Sequence, residues 1–287
     1  MENKNFLIVT SFNQELYEKY AYKFMNTYTL PFHLHIYSET EITLNKDISN
    51  EAKNSTLFNI YNEYPQFLEF VKRNQDKNFS ELAKKNKKKI FKFDTVRFSY
   101  KVFSLIHSIE NFSNKYNYIV WIDADNIFRK SFDCNLFKLL IDKNIFMSYM
   151  GRKGKYSECG FLIFNTQNKY CFEYFNFIKN LYLSDEVCKL DETHDSFVWD
   201  HVRKIMENKY KDFSNLNITK ISYNLLKNKS HFDKNWFISI EAGNNVLDRT
   251  ILFLFMHHQK GKLKFDSNIP NPIQKINGIN LEFDLNL

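Results

Sequence analysis

Tyr118–Phe128 reads Y-I-V-W-I-D-A-D-N-I-F. Its first five residues are apolar, β-branched or aromatic, the most strand-like run in the chain, and the run stops at two aspartates around one alanine. A bare D-x-D is weak evidence, arising roughly once by chance in a chain this long. The context strengthens it, because carboxylates just beyond a buried parallel strand lie where α/β sheets bind ligands. Alternation predicts Asp123 and Asp125 on one side. Two hard oxygen ligands so spaced suit Mn²⁺ or Mg²⁺, with a diphosphate completing the shell. The plain structural alternative is an Asp-rich turn capping the next element.

Working outward, Phe6 to Thr10 (F-L-I-V-T) is a second short buried strand. Glu15 to Tyr28 has helical periodicity, and His33 to Tyr37 alternates like a strand. This β-α-β opening implies parallel strands and an α/β fold. Residues 40 to 92 are polar and basic, with one aromatic helix near Tyr61 to Val71, and read as an insertion off the central sheet. Asp94 to Glu110 is predicted helical, with Asp94 as N-cap, apolar Phe98, Val102, Leu105 and Ile109, and a polar stripe at Arg97, Lys101, Ser104 and Ser108. Further strands are expected at Ile145 to Met150 and Phe161 to Phe164, and helices at Lys169 to Leu183 and Asp195 to Asn208.

Composition narrows the class. The 287 residues are 44% apolar, and 30 Phe and 17 Tyr exclude a mainly disordered chain. With 6 Gly, 4 Pro and 4 Cys the chain is neither collagenous nor a disulfide scaffold. Cys134, Cys159, Cys171 and Cys188 form no C-x-x-C pair and read as reduced thiols rather than a zinc site. No apolar run approaches the ~20 residues of a membrane span, and the N-terminus lacks a signal-peptide core, so a cytoplasmic protein without a transmembrane segment is expected. The net charge of +7 is compatible with an anionic partner and equally with a genome-wide bias toward Lys, Asn, Ile and Phe. The run Lys84–Lys89 (K-K-N-K-K-K) reads as a solvated loop.

The Tyr118–Phe128 run resembles the metal-binding signature of nucleotide-sugar-dependent glycosyltransferases of the GT-A fold. Four other segments follow in that family's order. V-T-S-F-N (Val9–Asn13) resembles the first strand and nucleobase loop, and D-T-V-R-F-S-Y-K (Asp94–Lys101) the helix whose basic residues face the donor. S-E-C-G-F-L-I-F-N (Ser157–Asn165) resembles the glycine-containing strand under the donor sugar. H-H-Q-K-G (His257–Gly261) resembles the late H-x-x-G element of glycogenin-like and lipopolysaccharide-type transferases.

The resemblance implies a mixed, mostly parallel central sheet flanked by helices (α/β, GT-A, Rossmann-like) over residues 1–262, with a tail at 263–287. It implies a UDP-sugar donor contacted by Thr10, Ser11, Phe12, Arg97, Lys101, Asp123, Gly160 and Lys260. Asp123, Asp125 and His258 would hold Mn²⁺ or Mg²⁺. Asp195 is the candidate catalytic carboxylate, a base in an inverting enzyme or an orienting group in a retaining one, unless it is merely a helix N-cap. Glu158 is a second carboxylate near the donor sugar. Chemistry agrees, since a departing nucleoside diphosphate needs positive charge beside it. The late histidine lacks the lysine–tryptophan signature of glycogenin-like enzymes, which leaves subfamily and stereochemistry open.

The acceptor is equally open among a glycan, a lipid-linked sugar, a protein and a modified nucleobase, with an anionic acceptor favoured by charge. Three other classes compete. A sugar-nucleotide nucleotidyltransferase needs a Gly-rich phosphate loop, and Thr10–Gln14 has no glycine. A metal phosphohydrolase built on His194, Asp195, Asp200 and His201 would be all-helical. A nucleic-acid-binding protein would use the lysines and aromatics, but the aromatics sit at core spacing.

Overall fold

The computed structural model describes residues 5–45, 47–77, 81, 84–128, 134–226 and 256–258. Its strands are β1 (Phe6–Ser11), β2 (His33–Ser38), β3 (Thr56–Asn59), β4 (Tyr118–Ile122), β5 (Asn126–Phe128), β6 (Ile145–Arg152), β7 (Lys155–Asn165), β8 (Ser214–Asn217) and β9 (Met256–His258). Seven of them form one sheet in the order β3-β2-β1-β4-β7-β6-β8, and β5 pairs with β9 apart from it. Only β7 runs against the rest, pairing antiparallel with both β4 and β6. The expected mixed, mostly parallel α/β sheet is therefore present.

Period-two alternation puts the two faces of the sheet against different layers. Phe6 and Ile8 of β1, with Val120 and Ile122 of β4, pack with Phe24, Met25 and Tyr28. Leu7, Val9, Ile119 and Trp121 face the other way, onto Phe103, Leu105 and Ile109. The first layer carries α1 (Gln14–Leu16) and α2 (Tyr22–Thr27), joined by a π-helical turn at Tyr17–Ala21 that interrupts the single helix expected there. The chain then runs through α3 (Ile60–Glu63), α4 (Pro65–Asn74), α5 (Thr95–Phe112), α6 (Cys134–Leu139), α7 (Cys171–Leu183), α8 (Asp195–Lys209) and α9 (Ile218–Leu226).

Helix α5 starts as the sequence predicts: Asp94 Oδ1 accepts the Arg97 N–H at 3.2 Å. Its polar stripe is another matter. Lys101, Ser104 and Ser108 are buried, since α5 is covered on several sides. Ser104 Oγ donates to the Tyr100 carbonyl at 2.7 Å, and Ser108 Oγ pairs with Tyr37 Oη at 2.9 Å.

Two further expectations change. Residues 40–92 do not lie wholly off the sheet, because Thr56–Asn59 pairs parallel with His35–Ser38 as the edge strand β3. That strand is half-buried, and Leu57 is 45% exposed, so it lacks the apolar signature of a central strand. The strand expected at Phe161–Phe164 runs from Lys155, with its polar first half along the edge of the cleft described next.

Candidate active site

A cleft of about 2290 Å³ opens where β1 and β4 end, at Ser11–Phe12 and Asp123–Asp125. Ser11, Phe12, Arg97, Lys101, Asp123, Asp125, Glu158, Gly160 and Asp195, all singled out from sequence, line it together. Thr10 does not: it is fully buried and absent from the lining, because its position in β1 points it into the core. The backbone of His258 lies opposite Asn126, next to Asp125, through β5–β9 pairing. Lys260 and the tail 263–287 fall outside the described residues.

The strand parity of β4 fixes Asp123. Trp121 faces the α5 layer, and Asp123, two residues on, accepts the Trp121 Nε1–H at 2.6 Å on Oδ1. The Asp123 N–H donates to the Gly160 carbonyl at 3.0 Å, tying the strand end to β7. Alternation goes no further. Ala124 and Asp125 form a turn, closed by the Asn126 N–H on the Asp123 carbonyl at 3.1 Å, so the same-side argument for the two aspartates does not hold. They share the cleft because the turn brings them there.

Lys101 is the centre of the site. Its ammonium meets Asp195 Oδ2 at 2.6 Å, Asp123 Oδ1 at 2.8 Å and the Cys159 carbonyl at 3.0 Å, with the Trp121 ring centroid 5.2 Å away. An ammonium has three donors, and all three have partners within the protein. Burial opposes its charge, but Asp123 and Asp195 outweigh that and hold Lys101 well above the ordinary lysine range. Lys101, expected from sequence at the donor phosphates, here bridges two carboxylates from different elements. Arg97, one turn earlier, is exposed on the cleft.

Asp195 opens α8 without being its cap. His194 is the N-cap, its Nδ1 accepting the Phe197 N–H at 3.4 Å. Nε2 is then the protonated nitrogen, and it donates to Glu192 Oε2 at 2.8 Å. Asp195 Oδ1 accepts the Ser196 N–H at 2.8 Å. Burial raises the Asp195 carboxyl, but the Lys101 charge and hydrogen bond, helped by His194 and Ser196, bring it below the ordinary range. Glu192 is likewise buried, and Lys88 and Lys92 hold it ionised at 2.9 and 3.0 Å. Glu158 lies 3.5 Å from Arg152, and Asp200 accepts from Ser157 Oγ at 2.7 Å and Arg203 at 2.9 Å.

Sequence reasoning missed Trp121, Lys92 and Arg152 as site-building residues, while Glu192 and His194 lie in the polar run Asp191–Ser196 that stands out in the sequence beside Asp195. Only Trp121 carried a usable signal, since a hydrogen-bonding side chain two positions before Asp123 shares its face. Lys92 meets Glu192 from a segment a hundred residues away, and Arg152 reaches Glu158 across the β6–β7 hairpin.

No protein-family model matches the chain, and no characterised protein matches it in sequence. Solved structures do resemble it. The galactosyltransferase LgtC, in complex with donor and acceptor sugar analogues, is 8% identical with a TM-score of 0.45, covering 94% of this chain and 99% of LgtC. Mouse xyloside xylosyltransferase 1 in its apo form gives 9% and 0.41, covering 75% of this chain and 86% of the enzyme. The apo bifunctional glycosyltransferase WbbM gives 11% and 0.40, over 75% of this chain, which spans only 39% of WbbM. With identities and TM-scores this low, the functional reading rests on this chain's own residues.

Proposed function

We propose that this chain is a GT-A-type glycosyltransferase that moves a sugar from a nucleotide-sugar donor, UDP-linked, to a hydroxyl acceptor. One observation carries the reading: two aspartates at the end of the parallel strand β4 line a large cleft, and the first is bridged through buried Lys101 to Asp195. Mg²⁺ and Mn²⁺ sites commonly use one or two carboxylates plus substrate phosphates, and Asp123 with Asp125 supply that donor set. His258 would be the third protein ligand, as the resemblance implies, and the substrate's oxygens would complete the shell. A cation bound there would supply charge that stabilises the departing diphosphate.

The chain's own residues do the rest. Ser11 and Phe12, at the end of β1, form the wall assigned to the nucleobase, and Arg97 offers an exposed guanidinium to the diphosphate. Asp195 is held ionised by Lys101, so it is a weak base and a good hydrogen-bond acceptor. This favours Asp195 as the group that orients sugar hydroxyls. The nucleotidyltransferase alternative finds no phosphate loop here: Asn13 caps α1 through Leu16 N–H at 2.9 Å instead. An all-helical phosphohydrolase is incompatible with the seven-stranded sheet.

The test is donor hydrolysis and UDP binding in the presence of Mn²⁺. The protein should be stabilised against heat by UDP with Mn²⁺ more than by either alone. Asp125→Asn should lose that synergy and the hydrolysis of UDP-sugars while melting as the parent does. Unchanged hydrolysis in that variant would refute the metal assignment.

A further inference from the structure

We infer that the segment Lys84–Phe91, at the cleft mouth, docks the protein on an anionic lipid surface. Ile90 and Phe91 are 57% and 44% exposed, adjacent large apolar residues at the start of the 3₁₀ turn Ile90–Phe93. Lys84, Lys85, Lys87 and Lys89, just before them, are also exposed. The backbone there is anchored rather than loose. Phe93 is buried, the Lys92 carbonyl accepts the Thr193 N–H at 2.8 Å, and Lys88 is fastened to Glu192 at 2.9 Å. Between these anchors Ile90 stays exposed, and the half-exposed Phe91 ring lies at the cleft rim, 6.2 Å from the His194 ring.

An apolar tip set behind a row of cations matches one environment closely. Anionic headgroups attract the lysines, and the boundary between headgroups and acyl chains takes up Ile and Phe side chains. A nucleic acid or acidic glycan would use the lysines and could stack on Phe91, but it offers nothing to the aliphatic Ile90. Lys89 and Phe91 also line the cleft, so a surface bound there lies at its opening. This inference stands apart from the proposed activity, because lipid binding is read without donor, cation or acceptor.

The experiment is flotation of the full chain with phosphatidylcholine vesicles and with vesicles containing phosphatidylglycerol. The parent should partition at least ~10-fold better onto the anionic vesicles, less so in high salt. The pair Ile90→Ser and Phe91→Ser should lose about tenfold in partitioning with the same melting temperature. Replacing Lys84, Lys85, Lys87 and Lys89 by Ser should abolish the preference for phosphatidylglycerol; Lys88 is kept for its structural pair. Equal partitioning of parent and serine variants overturns the inference. So does binding to heparin or RNA, without vesicle binding, that ignores Ile90 and Phe91.

Discussion

Replacing Lys101 by Met tests the centre of the site. Met keeps the length of the side chain and removes the charge, leaving Asp123 and Asp195 on either side of an apolar group. Removing one partner from a buried ion pair costs about 3–5 kcal/mol, because the carboxylate left behind has lost its counter-charge. Lys101 is 9% exposed and serves two carboxylates, so the loss belongs in that range. For a chain of this size that corresponds to roughly a 10 °C fall in Tm at neutral pH.

The pH dependence makes the test specific. In the parent the Asp195 carboxyl is held below its ordinary value, so its contribution is present above that value and fades as pH falls through the lower, folded one. In Lys101→Met the sign reverses. Two neighbouring carboxylates without a cation raise the pKa of one of them, and protonating it relieves the repulsion. The deficit relative to the parent should therefore shrink as pH falls from ~7 to ~5. Adding Asp195→Asn to Lys101→Met should recover part of the loss, whereas alone it should destabilise. Thermal unfolding of the four proteins at both pH values completes the cycle. A Lys101→Met variant as stable as the parent, or a deficit independent of pH, would show that Lys101 is not the counter-charge of this pair.

Two other outcomes follow from the same reasoning. Asp195→Asn should lower turnover of a UDP-sugar by about 10²-fold while UDP affinity, read by titration calorimetry, changes little; a loss confined to affinity would remove Asp195 from the reacting sugar. His35 is pushed down to about 3, first by burial and then by His33, His107 and Lys115. The unfolded chain binds that proton near pH ~6.5, so the His35 contribution is full above that pH and is lost as pH falls toward the folded value. His35→Leu should flatten the decline of Tm between pH ~6.5 and ~4, and an unchanged slope would show that His35 is not the acid-sensitive group.

The parts of this fold that could be read from sequence are those where a local pattern and the tertiary environment agree. Phe6–Val9 and Ile119–Ile122 are apolar at every position because both faces of a central strand are covered, and both strands lie where expected. Asp94 announces α5 because a cap is a contact over three residues. The pattern fails where burial is one-sided or distant. Strand β3 sits at an edge with one exposed Leu and two polar ends, so nothing in T-L-F-N separates it from a loop. Lys101 sits on a polar helix stripe in the sequence, and nothing local reveals its partners, Asp123 just past β4 and Asp195 on α8, the latter 94 residues away.

That failure also revises what the D-A-D motif means here. Read as a spacing, it makes Asp123 and Asp125 equivalent ligands. In the structure β4 ends at Ile122, and the two residues acquire different surroundings: Asp123 keeps the parity of Trp121 and is fastened by Lys101 and the indole, while Asp125 belongs to the following turn, beside the β5–β9 pair. A charge on Asp123 is already compensated through Lys101, which also holds Asp195. A ligand that draws on Asp123 therefore acts at the same time on Lys101 and, through it, on the head of α8. The coupling runs through one nitrogen, and for that reason Lys101 rather than either aspartate is the position whose loss should be felt in both stability and turnover.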